Sequence, residues 1–148
     1  MNEHYTEAET PVIAKKVLAM LETIETDGAT VLALSGDLGA GKTTLTKEIA
    51  ILLGIEETLV SPTFVIGKFY RAKKHFDRLA HIDAYRIESL DELVPLGWNM
   101  IMSTSRTLVI IEWPERIIDA IPDDALWLKI DHEREERTIT SVSADTFL

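Results

Sequence analysis

A chain of 148 residues, 46% hydrophobic, with 25 acidic against 15 basic residues and a formal charge of −10, holds enough apolar material for one core, and residues 1–148 are read as a single domain. So acidic a surface repels DNA, RNA and anionic membranes, so any nucleic-acid role is local or borrowed from a partner. The lack of cysteine excludes disulfides, thiolate catalysis and Cys-ligated zinc; no apolar run approaches the roughly 20 residues of a membrane span, and the acidic start MNEHYTEAET is unlike a signal peptide, so the expectation is a cytoplasmic protein with no membrane contact.

Residues 5–9 are read as a free end that folds over a ligand or frays. Thr10 caps a helix with Pro11 at its first position, Val12, Ile13, Val17, Met20 or Leu21 and Ile24 form its apolar stripe, and Asp27-Gly28 stops it. Val31 to Leu34 read as a buried parallel strand, followed by a glycine loop and a helix in which Leu45, Ile49 and Leu52 or Leu53 recur. Ser61-Pro62 marks a loop, residues 64–70 an extended run, 71–76 a hairpin connection, and 79–82 a returning strand that ends at Asp83. A short acidic helix over 89–96 closes at Gly97. The apolar run 107–111 reads as a second buried parallel strand, ending in Glu112-Trp113-Pro114. A short helix to Ala120, a strand over 126–130, a charged turn over 131–137 and a strand over 139–143 complete the chain, the last two strands forming an antiparallel hairpin at the sheet edge. With G-x-x-x-x-G-K-[ST] matched at Gly36 to Thr43 between the first buried strand and its helix, the fold class is α/β: a P-loop NTPase fold with a mostly parallel central sheet flanked by helices and an antiparallel C-terminal hairpin.

The loop carries the chemistry. Gly36-Asp37-Leu38-Gly39-Ala40-Gly41-Lys42-Thr43 meets every fixed position of G-x-x-x-x-G-K-[ST] in the required strand–loop–helix order. A polyphosphate needs converging backbone N–H groups, which favours glycine at Gly36, Gly39 and Gly41, where bulk would clash. Lys42 adds a charge and the helix N-terminus adds to the same field. Thr43 offers a hydroxyl to magnesium, and Thr44 caps the helix or meets the α-phosphate. The expected ligands are a nucleoside triphosphate and Mg2+.

Hydrolysis or transfer also needs a carboxylate near the metal and a group to orient the attacking oxygen. Glu112, at the tip of the most hydrophobic strand, is the stronger magnesium candidate, directly or through a water. Asp83 is either a water-orienting base or another metal ligand, and a structural role beside Arg86 is the plain alternative. Thr63 is placed to sense the γ-phosphate from a switch loop, whereas Ser61 caps a turn. Tyr5, Thr6 and Glu7 are candidates for the edge of the nucleotide base. Trp113, Trp98 and Tyr85 read as packing residues and His81 as structural. The basic cluster Lys68, Arg71, Lys73, Lys74, His75, Arg78, His81 and Arg86 reads first as a solvated hairpin turn, with local contact to nucleic acid as the alternative.

Taken together, GDLGAGKTT at Gly36 to Thr44, SPTF at Ser61 to Phe64, HIDAYR at His81 to Arg86 and IEWPE at Ile111 to Glu115 resemble the TsaE (YjeE) proteins, bacterial P-loop ATPases of tRNA threonylcarbamoyladenosine biosynthesis. The resemblance extends over nearly the whole chain, including Thr10 and Arg137. It implies partners TsaD and TsaB, which transfer a threonylcarbamoyl group to N6 of the adenosine beside the anticodon, so that tRNA is met indirectly through that complex. It implies ATP hydrolysis that resets the complex without performing the transfer. It also implies magnesium ligation by Thr43 and Glu112, a need for Asp83 in hydrolysis, and a switching SPTF loop. The segment 93–103 departs from the family, because Pro95 interrupts a helix that is usually glutamate-rich and Trp98-Asn99-Met100-Ile101-Met102 replaces the family's Gly-Leu and acidic stretch; a different local shape and partner surface are expected there. Two rivals stand: a small-molecule kinase, which needs an arginine-bearing lid that the sequence does not display, and a nucleotide-gated binding module without catalysis.

Overall fold

The computed structural model describes residues 1–62 and 65–148. The apolar run after Ala29 forms strand β2 (Thr30–Ser35), every residue of which is buried, as a strand covered on both faces requires. It is the middle member of a sheet containing β1 (Asn2–Thr6), β3 (Gly67–Arg71), β4 (Arg78–Asp83), β5 (Thr107–Glu112), β6 (Leu126–Glu133) and β7 (Glu136–Ser141) in the order β1-β7-β6-β2-β5-β4-β3. The inner strands β6, β2, β5 and β4 run parallel, and β7, β1 and β3 are antiparallel to their neighbours.

Alternation along the strands splits the core between two layers. Leu32, Leu34, Leu108, Ile110, Leu128 and Ile130 face α1 (Thr10–Glu22) and α2 (Lys42–Leu52), which bring Ile13, Val17, Leu21, Leu45 and Ile49 to the same layer. Val31, Ala33, Val109 and Ile111 face the other way, toward α3 (Trp98–Ser103), the 3-10 turns at Leu90–Leu96, Pro114–Arg116 and Ile118–Ala120, and Phe147.

Five sequence expectations are corrected. Residues 5–9 are not a free end: Asn2 to Thr6 pair with β7 as the edge strand, with Tyr5 buried. The C-terminal hairpin therefore lies one strand in from the edge, and its turn shrinks to Arg134 and Glu135, where Arg134 takes the left-handed conformation that a tight hairpin needs. Thr10 is the first residue of α1, not its cap; its hydroxyl donates to the Glu7 carbonyl at 2.6 Å. Val12 is 55% exposed and leaves the apolar stripe to Ile13, Ala14, Val17, Leu18 and Leu21. Pro95 lies inside a 3-10 turn that opens on a Ser89–Glu92 capping box, and Gly97, at φ 74°, hands the chain directly to α3.

Among the described residues, no helix is long and apolar enough to cross a membrane.

Candidate functional site

Parallel strands deliver their C-terminal ends to one side of the sheet, and the chemistry gathers there. From the tip of β2 the chain turns through Gly36, Gly39 and Gly41, all at positive φ, into α2. The reason for glycine differs among the three. A Cβ on Gly36 would lie 2.5 Å from the Ile130 carbonyl oxygen, and one on Gly41 2.7 Å from Arg137 Nη1. At Gly39 no atom of the described residues lies within 4 Å of that position, so the expected clash within the protein is absent and the left-handed backbone alone selects glycine. The first closed helical bond runs from Leu45 N–H to the Gly41 carbonyl at 3.0 Å; the amides of Lys42, Thr43 and Thr44 lack an intrahelical acceptor and sit at the positive end of the helix.

Lys42 is buried, with 5% of its surface exposed. Its ammonium donates to the carbonyls of Gly36 and Asp37 and lies 4.5 Å from the Trp113 ring centroid. Burial pushes its pKa down, and the carboxylates of Glu112, Glu115, Asp83 and Asp37 counteract this. A desolvated ammonium held against carbonyl dipoles and an aromatic face is poised to exchange those partners for phosphate oxygens.

The register of β4 with β5 sets Asp83 beside Glu112 at adjacent strand tips. Glu112 is buried. Its carboxylate accepts the Thr43 hydroxyl at 3.2 Å and meets His81 Nε2 at 2.5 Å. The two candidate magnesium ligands, Thr43 and Glu112, are thus already in contact. His81, fully buried and read from the sequence as structural, holds the far oxygen of that carboxylate. Asp83 is half-buried and accepts the Tyr85 N–H at 3.0 Å. Desolvation raises its pKa, the Tyr85 hydrogen bond opposes this, and the neighbouring Glu112 raises it further.

A cavity of about 660 Å³ joins these groups; Gly41, Lys42, Thr43, Thr44, Asp83 and Glu112 all line it. Ser61, Pro62, Val65 and Ile66 form part of its wall, while Thr63, the candidate γ-phosphate sensor, lies outside the described residues. Thr6 and Glu7 border a second cavity of about 330 Å³ with Gly39 and Arg137. The Thr6 hydroxyl is engaged by Glu9 at 3.0 Å. Arg137 lines both cavities, stands over Gly41, lies 3.8 Å from Glu7, and has a buried Nη1 without a hydrogen-bond partner among the described residues. Its place above the loop was invisible to periodicity, and so was the packing of Trp113 on Lys42; in both cases tertiary folding alone makes the contact.

Orphaned helix amides, a buried cation, a hydroxyl–carboxylate pair and an unsatisfied guanidinium nitrogen converge on one space, and this donor set suits a magnesium–polyphosphate. Among the described residues no cluster of three or more His, Asp or Glu is built to hold a metal alone; magnesium held between phosphates and one or two protein oxygens needs none.

The family model for "Threonylcarbamoyl adenosine biosynthesis protein TsaE" matches residues 4–139. Proteins named tRNA threonylcarbamoyladenosine biosynthesis protein TsaE are among the chain's relatives. The one from Streptomyces coelicolor is 40% identical over 99 residues, 66% of this chain and 66% of that protein. The one from Bacillus subtilis is 39% identical over 124 residues, 81% of this chain and 75% of that one, and the one from Haemophilus influenzae 30% over 129 residues, 87% and 80%. The crystal structure of Bacillus subtilis YdiB superposes with a TM-score of 0.69 at 32% identity, covering 97% of this chain and 85% of that one.

Proposed function

Because this chain belongs to the TsaE family of tRNA threonylcarbamoyladenosine biosynthesis proteins, we propose that it binds ATP with magnesium, hydrolyses it slowly on its own, and couples that hydrolysis to the turnover of a TsaD–TsaB threonylcarbamoyl-transfer complex that holds the tRNA. The observation that supports the nucleotide reading is the convergence on one cavity of the α2 N-terminus, Lys42, the Thr43–Glu112 pair and Asp83.

In this reading the amides at residues 39–44 and Lys42 hold the phosphates and the charge that develops on them. Thr43 and Glu112 hold magnesium, which when bound neutralises charge on the phosphate oxygens. His81 keeps Glu112 aimed at Thr43. Asp83, set apart from Thr43 at the next strand tip, orients the attacking water. Burial raises its pKa, which makes it a better proton acceptor than a solvated aspartate. Thr63 senses the γ-phosphate. The smaller cavity beside Thr6, Glu7 and Arg137 takes the adenine or ribose. The acidity of the chain fits a subunit whose partners provide most of the tRNA-binding surface.

Phosphate release measured with the purified chain and a panel of candidate acceptors tests this. Release matching ATP consumption, with no acceptor phosphorylated, is expected; a phosphorylated acceptor establishes a kinase instead. Co-purification with a TsaD–TsaB pair in ATP tests the partner assignment, and its failure counts against it.

A further inference from the structure

The hairpin β3–β4 carries an arrangement the nucleotide site does not use. Residues 68–78 hold five of the chain's fifteen Lys and Arg against one carboxylate, Asp77, in a protein of net charge −10. Arg71 and Arg78 are register partners, so two arginines occupy directly opposite positions on one face of the sheet edge, a like-charge pairing that an anion held between them would favour. Arg106, next to the start of β5, adds a third at the same corner and is paired with Asp77 at 3.1 Å. Lys73 pairs with Glu56 and His75 with Glu22, whereas among the described residues Arg71, Lys74 and Arg78 have no carboxylate partner. Arg78 donates to the Thr107 hydroxyl at 3.4 Å. On the same face as Arg71, opposite Ala80, the ring of Phe69 is 53% exposed on an edge strand.

Paired arginines beside an exposed aromatic ring on a sheet edge are the parts that bind unpaired nucleic acid: guanidinium groups for successive phosphates, a ring for a base. An acidic protein surface would use the charges but gain little from Phe69. We infer that Phe69, Arg71 and Arg78 form a docking surface for an unpaired segment of RNA, so that the chain itself touches RNA at the end of the sheet opposite the phosphate loop. The choice of RNA over DNA rests on the proposed function; the anion-binding geometry does not. Arg78 and Asp83 are the two ends of β4, about 16 Å apart at the rise of an extended strand, so the two sites are separable.

The test is fluorescence anisotropy of a labelled oligoadenylate RNA titrated with the full chain over a range of salt, beside a titration with ATP. Saturable binding is expected that weakens with salt. Arg71→Gln with Arg78→Gln flattens the slope of log K against log salt by about 1.4, the value for two lost single-strand phosphate contacts. Phe69→Ala weakens binding about tenfold at every salt without altering the slope. ATP affinity stays at the parental value in both variants, so loss of RNA binding is not loss of fold. No saturable RNA binding, or variants that bind like the parent, with ATP binding intact, overturns this inference and leaves the nucleotide reading standing. An oligodeoxyadenylate bound as tightly overturns the choice of RNA, and displacement of the RNA by polyglutamate at equal charge overturns it in favour of an acidic protein.

Discussion

Replacing Glu112 by Gln keeps the length of the side chain and an oxygen for the Thr43 hydroxyl but removes one negative charge from a position only 5% exposed. A magnesium ion held by Thr43 and Glu112, whose facing oxygens are 3.2 Å apart, would lie within about 5 Å of that carboxylate. A double positive charge and a single negative charge at that separation attract by about 7 kcal/mol at an effective dielectric of about 20. Most of this is offset by the cost of keeping the carboxylate out of water and by the glutamine dipole that replaces it. Losses at groups that orient a metal run to about 10–100-fold in metal affinity. ATP affinity in magnesium is therefore expected to fall by about that factor, or about 1.4–2.8 kcal/mol. In EDTA, ATP affinity should hold or rise, because a carboxylate facing the polyphosphate is gone. Isothermal titration calorimetry with and without magnesium reads both arms. Equal losses in the two, or no loss in either, refute the assignment of Glu112 to the metal.

Lys42→Ala removes a cation that the fold keeps desolvated, so the fold should hold while ATP affinity drops about 10–150-fold, the worth of one charge-assisted hydrogen bond; unchanged affinity in equilibrium dialysis contradicts the role. Burial raises the Asp83 pKa above its unfolded value, so the native state binds more protons than the unfolded chain between the two, and stability from this group falls as pH rises through that window. Asp83→Asn, which keeps the acceptor for Tyr85 N–H, is thus expected to raise the melting temperature of the nucleotide-free protein at neutral pH, with the gain gone below the ordinary aspartate range, and to abolish hydrolysis; a lower melting temperature at pH 7 contradicts the sign. Gly36→Ala drives a methyl to 2.5 Å from the Ile130 carbonyl oxygen, costing about 1–3 kcal/mol in urea denaturation. Gly39→Ala meets no atom of the described residues and should cost less, and the reverse order rejects the packing account of the loop.

Where local pattern and tertiary need agree, the sequence announces the structure. The run 107–111 has no polar interruption because both of its faces are covered, and the glycine loop is legible because backbone geometry dictates its residue types. The acids at strand tips were legible too, since an apolar run ending in Asp83 or Glu112 puts the carboxylate where the loop opens. What stayed hidden depends on partners distant in sequence. Residues 2–6 carry a polar, charged composition that reads as a tail, and they become a strand only because β7 offers an unpaired edge. His81 looks like a strand filler until the β4–β5 register brings Glu112 against it. Arg137 reaches Gly41 from the far hairpin, a contact for which no spacing gives a signal.

A co-crystal with a non-hydrolysable ATP analogue and magnesium tests the central claim most directly. The account predicts the triphosphate within hydrogen-bonding distance of the amides at 39–44 and of Lys42 Nζ, now withdrawn from the Gly36 and Asp37 carbonyls, with the metal between the phosphates and the Thr43–Glu112 pair. A nucleotide bound elsewhere, with Lys42 still on its carbonyls and no metal near Glu112, contradicts it.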